Sequence, residues 1–217
     1  MEKRKVIQMK PRVDNYKIQA AQAKKLFLTY DQQELITRCR LRFDEEYLYT
    51  TFLSSPYRIH RHTGDMERQC GDGWVDGNSF AEVMTILDWL CDSRADRYIT
   101  GRWINIVSHG HNFHSSLQEE TADPDAVFFD ADPEAFAKAC EALGGEKTSG
   151  ADIGYTIPLL DGLGILVQLW HGDEEFAPRV RCLWDENVTR YIRYETTFFV
   201  TGFRMGRIRE NMAGSVQ

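Results

Sequence analysis

One segment restricts the fold more than any other: Gly164–Asp185, G-I-L-V-Q-L-W-H-G-D-E-E-F-A-P-R-V-R-C-L-W-D. Ile165–Trp170 is apolar at five of six positions and follows a glycine. A short run of that kind suits a strand covered on both faces. Val180, Cys182 and Trp184 then alternate with Arg179, Arg181 and Leu183, the period of a strand with one buried face and one wetter face. The connection His171–Pro178 is far too short for a parallel crossover, so the two strands pair antiparallel. In such a hairpin Trp170 faces the region of Arg179, and Asp185 returns to the neighbourhood of Gly164.

The connection carries Asp173, Glu174 and Glu175, and Asp185 follows the second strand. Paired carboxylates are the machinery of glycoside hydrolysis, where an inverting pair stands about 6.5–9.5 Å apart. The hairpin places Asp185 ~20 Å from the loop. Asp173 and Asp185 therefore do not make a dyad. The ordinary role for these acids is a solvated turn in which Asp173 or Glu174 accepts from backbone amides.

The 217 residues suffice for one domain with a substantial core. A basic N-terminal tail, residues 1–13, precedes a single domain over 14–210, and 211–217 form a C-terminal tail. The net charge of −7 argues against a general nucleic-acid binder, which needs a basic surface to displace counterions. Lys3, Arg4, Lys5, Lys10 and Arg12, with Arg204, Arg207 and Arg209, read as solvated ends. Neither a membrane-spanning run nor a signal-peptide pattern is present, so the expectation is a cytoplasmic protein without a membrane partner. Five scattered cysteines without a C-x-x-C fit reduced thiols better than a disulfide framework.

Asp14 to about Thr29 reads as a helix, and Asp31 caps a second one through Ile36. Leu41–Phe43, Tyr47–Leu53 and Tyr57–His62 read as strands of an antiparallel meander. Asp72–Ser79, D-G-W-V-D-G-N-S, resembles a calcium loop but carries Trp74 and Val83 at the third and twelfth positions, where ligands are required. It reads instead as a loop ending in a capping box, Ser79 with Glu82, ahead of a helix to Cys91. Asp132-Pro133-Glu134 opens a helix that buries Phe136, Ala139, Cys140 and Leu143 and ends at Gly144-Gly145. Ile153–Ile157 is a strand, and Asp161-Gly162 turns it into the central one. Glu195–Arg209 mixes strand formers with helical spacing, which leaves helix and strand both open. The fold class is α+β: a mostly antiparallel sheet with helices segregated to one face or the ends.

Ser108–His114, S-H-G-H-N-F-H, is the densest group of metal-ligating side chains. On a strand His109 and His111 share a face, and His114 can close round from a turn. No carboxylate or cysteine is placed in sequence to complete the site, and a His-rich polar loop is the plainer alternative. His60 and His62 also share a face if their segment is a strand.

Leu169–Pro178, L-W-H-G-D-E-E-F-A-P, with Leu183-Trp184-Asp185, Tyr191-Ile192 and Glu195, resembles the C-terminal signature of an uncharacterised prokaryotic domain-of-unknown-function family of anaerobic bacteria and archaea. Thr100-Gly101-Arg102-Trp103 and Leu143-Gly144-Gly145 resemble the same family in the same order. The likeness extends over roughly Asp14–Gly206 and implies a terminal helix over Glu195–Arg209. Some relatives carry a cysteine-rich iron–sulfur module that this sequence lacks, and the family supplies no activity to carry over.

Three functional readings follow. The first is a cytosolic small-ligand-binding or accessory protein. Its pocket would draw on Trp103, Trp170 and Trp184, with Arg102, Asp173, Glu174 and Glu175. The second is a metal-dependent hydrolase using His109, His111 and His114 to activate water. The third is a protein–protein interaction module. No nucleophile, zincin, phosphate-loop or dinucleotide motif is present, so no cofactor is assigned and the oligomeric state is left open.

Overall fold

A computed structural model describes residues 14–106 and 123–214. Helix α1 (Asn15–Phe27) starts at Asp14, whose carboxylate accepts from the Tyr16 and Lys17 amides. Helix α2 (Gln32–Cys39) starts at Asp31 and runs a turn beyond the expected Ile36, ending on Arg40 in the left-handed conformation at φ 52°. A five-stranded antiparallel meander follows: β1 (Arg42–Phe43), β2 (Tyr47–Phe52), β3 (Ser55–His60), β4 (Met66–Cys70) and β5 (Gly73–Asp76), paired in chain order. The β2–β3 turn is a two-residue loop with Leu53 and Ser54 both at positive φ, the geometry that matches the twist of a hairpin.

Strand β5 corrects the reading of Asp72–Ser79 as a loop. Gly73–Asp76 pairs with Glu67–Cys70, and the tight turn between them sits at Gly71, φ 57°. The strand is short and mostly exposed, so it carries no hydrophobic alternation to reveal it.

Helix α3 (Phe80–Asp92) begins with the capping box, Ser79 and Glu82 exchanging hydrogen bonds, and buries Val83, Ile86, Leu87 and Leu90 as expected. The second sheet has the order β6 (Trp103–Ile104), β10 (Arg179–Asp185), β9 (Leu163–Trp170), β8 (Ile153–Leu160), β7 (Glu146–Lys147), antiparallel throughout. Strand β9 is buried along both faces, and Trp170 pairs with Arg179 as the hairpin required. Two helices with Asp caps and Pro at their first turns, α4 (Pro124–Asp130) and α5 (Pro133–Ala142), lie between β6 and β7 in the chain. Segment Tyr194–Gly214 is one 21-residue helix, α6, which continues past Arg209.

The two sheets share a single core with α3, α5 and α6. The Leu53 amide donates to the Leu159 carbonyl at 2.9 Å, and the Ser54 hydroxyl donates to the Leu143 carbonyl at 2.8 Å. Phe52 stacks on Phe203 with centroids 5.8 Å apart. The class is therefore α+β, with two antiparallel sheets rather than one.

Candidate functional site

Most signature residues have structural work. Asp173 closes its own loop: its carboxylate accepts from the Glu175 amide at 2.8 Å and the Phe176 amide at 2.7 Å, and its amide donates to the Phe176 carbonyl. The two amide bonds hold its carboxyl below the usual range. Gly172 is required because a Cβ there would lie 2.7 Å from Pro178 Cδ and 2.9 Å from its nitrogen. The loop tip carries Phe176, 69% exposed.

At the far end of the hairpin, Asp185 is 1% exposed. Its Oδ2 accepts from the Thr100 and Gly101 amides at 2.9 and 2.8 Å and from the Thr100 hydroxyl at 3.0 Å. Its Oδ1 accepts from the Asn187 amide at 2.9 Å. This carboxylate joins the T-G-R-W and L-W-D stretches, and Arg102 beside it is ion-paired with Glu186.

The residues assigned to an aromatic pocket are thus distributed over two ends and two faces of one sheet. Register pairs Trp184 with Ile165 and Ile104, on the core face, and it is 1% exposed. Trp103 pairs with Asp185 on the opposite face. Trp170 lies on that face too, but six β10 positions away, ~20 Å, with the Arg181 guanidinium 5.3 Å from its ring centroid. Arg102 stays with Trp103, while Asp173, Glu174 and Glu175 stay with Trp170. His109, His111 and His114 lie outside the described residues; among the described residues no three His, Cys, Asp or Glu side chains are grouped to hold a metal ion.

The hairpin loop does hold one arrangement that its sequence does not announce. His171 Nδ1 and Asp130 Oδ1, from α4, are 2.5 Å apart, and the Gly172 amide donates to Asp130 Oδ2 at 3.0 Å. Burial pushes the Asp130 carboxyl up, but the bonds from His171 and Gly172 outweigh it and hold the carboxyl low. The pair orients an exposed imidazole, and no hydroxyl or thiol nucleophile is bonded to it among the described residues.

A family model matches residues 31–207, that of a Domain of unknown function (DUF3786). The chain belongs to that family. No curated protein and no solved structure matches it. The matched span contains both sheets, α2–α5 and most of α6, while α1 precedes it. Within the matched span, the Leu169–Pro178 and Leu183–Asp185 stretches close the Gly172–Pro178 loop and form the Asp185 clamp.

A groove lies between α1 and α3. It has a volume of about 260 Å³, with an apolar wall from Ala23, Leu26, Met84 and Leu87. Asp88, Asp92 and Arg193 supply its charges, and Gln19 and Gln22 its amide edge. Asp88 is 7% exposed. Its Oδ2 accepts from the Arg193 amide at 2.7 Å and the Thr196 hydroxyl at 2.6 Å, tying down the start of α6. Among the described residues its Oδ1 accepts no hydrogen bond, although Arg193 Nε stands 3.3 Å away. Burial raises the Asp88 carboxyl above the usual range, against the lowering effect of Thr196 and Arg193. Arg193 spends its hydrogen bond on Asp92, which also accepts from the Tyr30 hydroxyl. Sequence reasoning missed this site because Asp88 and Asp92 occupy ordinary polar positions on an amphipathic helix. The available signal was an acid at Asp88 inside the apolar stretch Met84–Cys91.

Proposed function

We propose that the protein is a small-ligand-binding protein whose ligand occupies the α1–α3 groove. The ligand presents an amine to Asp88 and an apolar body to Leu26, Met84 and Leu87. The observation that carries this reading is the Asp88 Oδ1 atom: buried, without a hydrogen bond, and on a carboxyl that burial has made reluctant to ionise. Perturbed groups in apolar clefts with a few polar partners are the usual make-up of ligand sites. An ammonium group supplies both the missing hydrogen bond and the counter-charge, since among the described residues the two carboxylates Asp88 and Asp92 share one paired cation, Arg193. No catalytic step is part of the proposal.

The test is calorimetry with n-hexylamine, n-hexanol and hexanoate, which share an apolar body and differ in the head group. The amine binds with a dissociation constant on the order of 1 mM, and the alcohol and acid bind at least about tenfold more weakly. Asp88→Asn, which keeps an oxygen for the α6 donors, abolishes the preference for the amine. Equal binding of amine and alcohol, or no amine binding, contradicts the reading.

A further inference from the structure

A second recess lies where α2 hands over to the first sheet. The corner between the end of α2, β1 and β2 encloses about 210 Å³, and an adjoining groove of about 450 Å³ continues across β2–β5. Arg42, Tyr49 and Thr50 line both.

Two independent features converge there. Arg40 and Arg42 are both exposed and, among the described residues, neither makes an ion pair or a hydrogen bond to an acid. The acids nearby are committed: Asp161 pairs with Arg97 at 2.5 Å, and Asp44 accepts from the Tyr49 hydroxyl at 2.6 Å. The larger groove is edged by the rings of Tyr49, Trp74 and Phe43, with the Arg42 guanidinium 5.8 Å from the Tyr49 centroid.

We propose that this corner binds a phosphorylated ligand with a planar ring, the chemistry of a mononucleotide. Its phosphate oxygens meet Arg40 and Arg42, and its ring stacks in the aromatic groove. Arginine suits the first contact because its planar fork matches phosphate oxygens. Every planar ring offers a face to stack, so the groove adds affinity without selecting a base. This site is separate from the α1–α3 groove, and neither proposal depends on the other.

The probe is AMP, followed by tryptophan fluorescence and calorimetry, against adenosine and inorganic phosphate. AMP binds, and each fragment alone binds at least about tenfold more weakly. Arg40→Ala and Arg42→Ala lie on exposed side chains that fold without them, and together they weaken AMP at least about tenfold. AMP that does not bind, that binds no better than adenosine, or that is indifferent to the arginine changes overturns the proposal.

Discussion

Asp185 accepts four hydrogen bonds from three residues, Thr100, Gly101 and Asn187. Removing one partner of a buried, charge-assisted set leaves the others exposed to the full cost of desolvation. Asp185→Ala therefore lowers unfolding free energy by about 3 kcal/mol in a urea titration, and Asp185→Asn by less. A loss within about 0.5 kcal/mol for the Ala variant would contradict the clamp. Gly172→Ala destabilises by about 2 kcal/mol, because the atoms a Cβ would meet belong to the Pro178 backbone and ring and cannot swing away. The turn role of Asp173 was legible from the sequence, since aspartate bonds to amides two and three residues ahead. The role of Asp185 was not, because its principal partners lie 84 and 85 residues upstream. Asp130 belongs to the same class. Its folded pKa is depressed, so the stability it contributes is complete above the ordinary carboxylate value and is lost as pH falls through the folded value. His171→Ala lessens that acid sensitivity, which urea midpoints between about pH 3 and about pH 7 measure.

At the scale of elements, periodicity and caps recovered α1, α2, α3, α5 and the β9–β10 hairpin. They were silent where an element is short and wet, as in β5, and where two propensities compete, as in α6. Thr196, Thr197 and Val200 favour a strand, yet all three are buried in α6 against the core, and packing decides. The capping box of α3 is legible because its two halves are three residues apart; Ser79→Ala costs about 1 kcal/mol by denaturant unfolding. Helix α6 also buries Arg204 completely, with its Nη2 2.6 Å from Cys182 Sγ and, among the described residues, two other guanidinium nitrogens unbonded. A buried cation without a carboxylate partner is a cost that an apolar side chain of similar volume avoids. Arg204→Met is thus neutral or stabilising in thermal unfolding, whereas Arg204→Ala destabilises by about 3 kcal/mol through the cavity it leaves. A large loss for Arg204→Met would mean that the guanidinium is bound to something in the folded protein.

The molecule as a whole joins two meanders through the β2–β3 turn, which reaches Leu143, Gly144 and Leu159. That junction explains Leu143-Gly144-Gly145 more fully than helix termination does, since a Cβ on Gly144 would collide with the Ser54 hydroxyl. It could not be read in advance because Ser54 and Leu143 are 89 residues apart. The candidate groove is hidden for the same reason: α1 and α3 meet only after folding, and Asp92 and Tyr30 are 62 residues apart. No helix among the described residues is long and apolar enough to cross a membrane. The central claim is that Asp88 is a buried carboxyl held ready for an amine, and its titration tests that directly. Carbon-detected NMR of the side-chain carboxyl, without and with n-hexylamine, should show it titrating above the ordinary aspartate range in the free protein and falling when the amine binds. An ordinary titration in the free protein, unchanged by the amine, would contradict the account.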